Sequence, residues 1–169
     1  MIAAILASTN SGGIGKKGSL PWAKNSEDFK WFKEQTTNNI VVMGRKTWED
    51  PMMPKPLPNR INCVVSSEPV ALKYRQDVQW LLGNPVDHVK FLADKYPDKT
   101  VFVIGGKQLY EACQDIVDRV YLTRVLDEHK VDTKVNLERM LDCFRIKTVR
   151  PGVNSYCTYE IWDRQFKLR

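Results

Sequence analysis

Histidine is nearly missing from this 169-residue chain, with His88 and His129 the only two. Neither stands in a recognisable nucleophile context, which removes Ser-His and Cys-His hydrolysis from the candidate chemistries. The four cysteines, Cys63, Cys113, Cys143 and Cys157, lie far apart without a C-x-x-C pair, so neither a disulfide framework nor a metal site is expected. No run approaches the roughly 18 apolar residues of a membrane span. Met1 leads straight into a strand-like segment without a basic leader, and a cytoplasmic protein with no membrane partner is expected. Arginine-rich tracts, basic-aromatic repeats, internal repeats and linkers are absent too, which argues against nucleic acid as a partner.

What is present is enough apolar residue, 43%, for the core of one domain spanning 1–169, and a net charge of +6. With the basic residues scattered, that charge fits a small anionic ligand better than a polyanion. The run IAAILA at 2–7 reads as a strand buried on both faces that empties into a Gly-rich loop. A helix is expected over 26–36, a strand over 40–43, at most a short helix at 47–49, and strands over 61–65 and 78–82. Further on, 85–96 has helical spacing with Pro85 in the first turn, 100–104 is a buried strand, and a helix follows Gly105-Gly106. The second half, with strands at 119–126, 144–149 and 156–162, lacks long helices between them.

These patterns give an α/β fold: a mostly parallel central sheet of about eight strands, an antiparallel C-terminal edge and flanking helices. Ligands of such sheets gather at the carboxyl ends of the strands. Four loops leave such ends, at 8–19, 44–47, 66–67 and 105–106, and if adjacent they form one site.

Chemistry concentrates in the stretch 19–33, SLPWAKNSEDFKWFK. Asp28 is followed by Phe29, Trp31 and Phe32, of which those three and four residues on share its helix face, and a carboxylate among aromatics must be paired, protonated or bonded to a ligand. A blander reading also holds: Asn25 or Ser26 caps the helix, while Glu27 and Asp28 favour its positive end. At 44–47, Arg45 suits a bidentate phosphate contact, Lys46 adds a charge and Thr47 a hydroxyl, with Ser66 or Ser67 across the way. Gly105-Gly106, between strand and helix, lets backbone approach a phosphate.

Taken in order, IG and LPW at 14–22, the D-F-x-W-F helix, VVMGRKTWE at 41–49, PLPNR at 56–60, VVSS at 64–67, VIGG before Tyr110, VYLTR at 120–124 and SYCTYEIW at 155–162 resemble dihydrofolate reductase over nearly the whole chain. The resemblance implies NADPH-dependent reduction of 7,8-dihydrofolate to tetrahydrofolate by a monomer serving one-carbon and thymidylate metabolism, with residues about 39–90 as the adenosine-binding part. Asp28 matches the family's active-site carboxylate, with Thr123 supporting the same pterin group and Trp22 holding a water nearby. Ile5, Ile104, Phe29, Phe32, Leu57 and Tyr110 would line the substrate pocket. Arg60 would pair the glutamate carboxylate, and Lys33 and Lys55 would add charge at the entrance.

For the cofactor, the resemblance implies Ala7, Ile14, Gly15 and a mobile loop carrying Leu20 near the nicotinamide. Gly44, Arg45, Lys46, Thr47, Ser66 and Ser67 fall on the adenosine side; Gly105, Gly106, Lys107, Gln108, Leu109 and Tyr110 fall between. The glycine pair corresponds to one that is strained in the family, and a cis bond there would be in keeping. Departures exist: Lys107 replaces a third glycine, the loop before the first helix has one extra residue, and the turn at 51–58 is longer. A ribosylated-pyrimidine reductase of the same fold would share the cofactor, but the acid-aromatic helix together with Arg60 is not expected of it.

Overall fold

The computed structural model describes residues 1–69, 78–153 and 156–165. In chain order, β1 (Ile2–Thr9) and the short β2 (Gly13–Gly15) precede α1 (Ser26–Thr36), β3 (Ile40–Gly44), α2 (Arg45–Glu49) and β4 (Ile61–Ser66). After them come β5 (Gln79–Leu82), α3 (Pro85–Lys95), β6 (Val101–Val103) and α4 (Lys107–Cys113). The last third holds β7 (Arg119–Val125), β8 (Thr133–Lys134), α5 (Leu137–Leu141), β9 (Phe144–Pro151) and β10 (Cys157–Arg164).

Eight strands form one sheet in the order β5-β4-β3-β6-β1-β7-β10-β9. Pairing is parallel from β5 through β7 and antiparallel at β7-β10 and β10-β9. β1 sits inside the parallel part, between β6 and β7, and its apolar run is buried on both faces as a central strand must be. Alternate residues divide between two cores: Ile2, Ala4 and Leu6 pack with Val89 and Leu92 of α3 and Leu109 and Cys113 of α4, while Ala3 and Ile5 pack with Phe102 and Trp31. One face of the sheet therefore carries α3 and α4, and the other carries α1.

Two pieces fall outside the sequence expectation. β2 and β8 form a separate two-stranded ribbon, too short for any periodicity to mark, and α5 is a single capped turn and a half that follows it. α2 begins at Arg45 rather than Thr47, because Gly44 takes an extended conformation and serves as its N-cap. Since β1, β3, β4 and β6 run parallel, their carboxyl ends emerge on one edge, which sets the four loops side by side.

Candidate functional site

At that edge lies one cavity of about 1510 Å³. α1 supplies a wall because Asn25 starts it cleanly: the Asn25 side chain accepts from the Asp28 amide at 3.1 Å, so the helix's first turn is capped without using a carboxylate. The Asp28 side chain is then available elsewhere. Its Oδ1 accepts from Thr123 Oγ1 on β7 at 2.6 Å, joining positions 95 residues apart. Glu27, one residue earlier, points away and accepts from Tyr159 Oη at 3.1 Å and the Val153 amide at 2.9 Å.

Burial pushes the Asp28 carboxyl above the ordinary aspartate range; the Thr123 hydrogen bond opposes this and the Glu27 charge adds to it. Around the pair, Ile5, Phe29, Phe32, Leu57 and Ile104 give an apolar lining, with Trp22 and Leu20 at the loop side. Leu20 is exposed, and Trp22 is half-buried with its ring 5.9 Å from His129. A carboxyl group in an apolar pocket with a hydroxyl donor beside it is built to hold a polar, nitrogen-rich group.

Further along the cavity the character turns cationic and polar. Gly44 and Gly105 touch through a 2.8 Å amide-carbonyl bond, and a Cβ on Gly106 would stand 3.7 Å from Thr47 Oγ1. The peptide between Gly105 and Gly106 is cis. Asn25, Asn84 and Asn136 cap α1, α3 and α5 with their side chains, whereas α2 and α4 start from Gly44 and Gly106 with no side-chain cap. Both glycine-capped helices have their first turns on the cavity wall.

Arg45, Lys46, Lys107 and Gln108 line this end. Arg45 Nε donates to Glu49 at 2.8 Å, an exposed pair that a stronger anion can displace. Ser66 is buried and its hydroxyl closes a turn onto Glu68, while Ser67 is exposed. Tyr110, buried, donates to the Ile5 carbonyl at 2.8 Å, so its hydroxyl braces the central strand.

At the opposite rim Arg60 lies over the Phe32 ring at 5.9 Å, its Nε donating to the Pro58 carbonyl at 2.9 Å. Burial lowers its affinity for its proton from the ordinary value, and no carboxylate is paired with it among the described residues. A partly buried guanidinium held by neutral acceptors is suited to an incoming carboxylate.

The family model for dihydrofolate reductase matches residues 1–149. The chain belongs to the dihydrofolate reductase family. It is 34% identical over 163 residues to the type 9 dihydrofolate reductase of Escherichia coli, covering 94% of this chain and 90% of that one. The dihydrofolate reductase of Rattus norvegicus is 32% identical over 169 residues, with 89% and 86% covered. Among solved structures, the dihydrofolate reductase of Enterococcus faecalis, complexed with NADP(H) and RAB-propyl, superposes with a TM-score of 0.84 at 32% identity, over 98% of this chain and 97% of that one.

Every residue expected at the site from the dihydrofolate reductase resemblance lines this cavity except Lys55, which is exposed beyond the rim. Ala7, Ile14, Gly15, Lys33 and Leu109 are all on its wall. Two contributors escaped the sequence reading. Asn62 is buried and its side chain clamps the Arg60 loop, accepting from the Leu57 amide and donating to the Leu57 and Arg60 carbonyls at 2.9 to 3.0 Å. Thr36 holds Arg60 from behind. A lone Asn in INCVV and a Thr at a helix end carry no pattern; only a polar residue inside an apolar run hinted at the first.

Proposed function

We propose that this cavity binds 7,8-dihydrofolate against α1, with NADPH along the glycine-capped helices, and reduces the substrate to 5,6,7,8-tetrahydrofolate. The observation that carries the reading is the Asp28–Thr123 pair, a half-buried acid and a buried hydroxyl 2.6 Å apart on a helix and a strand that the fold brings to one apolar wall. NADPH, when bound, supplies the hydride, which goes to carbon six of the pterin while a proton goes to nitrogen five. Asp28 orients the pterin by accepting from its amino group and a ring nitrogen, and Thr123 fixes the carboxylate plane for that contact. Phe29 and Phe32 pack on the rings, and Leu20 and Trp22 exclude bulk water from the reacting atoms.

The donor set fits the cofactor. Two helices left uncapped by side chains begin on the cavity wall, and Arg45 and Lys46 add cations where a ribose 2′-phosphate would sit. Residues about 39–90 act as the adenosine-binding part, Lys33 adds charge at the entrance, and Arg60 takes the glutamate carboxylate. The protein acts as a monomer in the cytoplasm, without nucleic acid or membrane; no helix among the described residues is long and apolar enough to cross one. Loss of NADPH absorbance on adding dihydrofolate tests the reading directly. No consumption, or equal consumption with a ribosylated pyrimidine in place of dihydrofolate, would reject it.

A further inference from the structure

We propose that Thr36 is a positioning residue for substrate recognition: its hydroxyl, buried behind the cavity wall, aims the Arg60 guanidinium at the carboxylate tail of the substrate. This rests on the reading of Arg60 as the tail's partner. Thr36 is fully buried in the last turn of α1 and does not line the cavity. Its Oγ1 donates to the Phe32 carbonyl four residues back at 2.8 Å, which fixes the hydroxyl proton and turns the lone pairs outward. Arg60 Nη1 donates to that same oxygen at 3.0 Å.

Together with the Nε bond to Pro58 and the Phe32 ring beneath, three neutral contacts define the guanidinium plane. None of them carries charge, so the cation is held in place without being neutralised. An acidic support would have oriented Arg60 equally well but cancelled its attraction for a carboxylate. The supports are also tied to one backbone frame, since the Asn38 amide donates to the Asn59 carbonyl at 2.8 Å and the Ile61 amide to Asn39 at 3.0 Å. α1, the 37–39 turn and the Arg60 loop are thereby tied to one another through the backbone. A side chain held in its binding geometry before the ligand arrives loses less freedom on binding.

The test compares wild type, Thr36→Val, Thr36→Ser, Arg60→Leu and the Thr36→Val/Arg60→Leu double variant. Measured are kcat, KM and the dissociation constant for dihydrofolate by tryptophan quenching, the same constants for 6-methyl-7,8-dihydropterin, which lacks the tail, and NADPH affinity as a check of folding. Thr36→Val should raise KM and the dissociation constant for dihydrofolate about three- to tenfold, the scale of one hydrogen bond, with kcat within about twofold. The tail-less pterin should be unaffected, Thr36→Ser should restore wild-type values, and Thr36→Val should add nothing in the Arg60→Leu background. Thr36→Ala gives the same pattern if valine does not fit.

Unchanged dihydrofolate affinity in Thr36→Val beside a weakened Arg60→Leu would overturn the role of Thr36 and leave Arg60 as the tail site. Equal weakening for both pterins, or additivity with Arg60→Leu, would make Thr36 merely structural. An Arg60→Leu variant that still prefers the tailed substrate would overturn both readings.

Discussion

Asp28 and Glu27 are adjacent carboxylates with opposite fates, and of the two only Asp28 lines the cavity. Asp28→Asn keeps an acceptor for Thr123 but removes the charge; kcat/KM at pH 7 should fall about 10²- to 10⁴-fold, recovering in part in acid as solvent supplies the proton. Wild-type turnover in this variant near pH 7 would end the assignment. Stability should move the other way. Because burial raises the Asp28 pKa in the folded state, its contribution is fully present below the ordinary carboxyl value of 3.8 and is lost as pH rises through the raised one. At pH 7 the ligand-free Asp28→Asn protein should therefore melt higher, on the order of a few °C, with the gap closing below pH 4. Thr123→Val, by removing the bond that lowers the Asp28 pKa, should shift the acid limb of the activity profile to higher pH.

The loop from Leu57 to Asn62 and the junction from β6 to α4 show how short elements place the larger ones. Asn62 makes three bonds within its own loop, so Asn62→Ala strands buried backbone groups and should cost roughly 2 to 4 kcal/mol in urea unfolding, with weaker dihydrofolate binding. Full stability would show that the clamp is redundant. Gly105 has φ +121°, a region that side chains rarely adopt, and a Cβ there would stand 3.2 Å from Tyr110 Oη. Gly105→Ala should lose roughly 1 to 3 kcal/mol and impair both ligands, since β1 and α4 meet through Tyr110. The glycine pair is visible in VIGG as a break between strand and helix. Its proximity to Gly44, 61 residues earlier, follows from the parallel pairing of β3 and β6 and from nothing local.

For the molecule as a whole, ligand binding and stability are linked, and the cofactor should report which cations matter. NADPH at 100 times its dissociation constant stabilises by about 2.7 kcal/mol, and NADH at equal concentration should shift the melting temperature less. Arg45→Ala should erase most of that difference, and added salt should shrink it in the wild type. Equal shifts for both cofactors in the wild type would remove Arg45 and Lys46 from the 2′-phosphate. The Arg45–Glu49 pair, exposed on both sides, offers little resistance to such a swap.

Much of this was written into local pattern. Buried apolar runs such as IAAILA and IVVM can serve only as inner strands, Asn25 and Pro85 mark helix starts, and the order of short motifs carries the family. Tertiary structure decided the rest, because the deciding contacts join residues that have no relation along the chain. The sequence alone left Asp28 open between helix end and pocket acid, and the Asn25 cap together with Thr123 across 95 residues settled where its side chain goes. Likewise Arg60 was legible through the family resemblance of PLPNR, but Thr36 and Asn62 were not. Each is an ordinary polar residue until folding buries it, and burial is what turns a hydrogen bond from optional to obligatory.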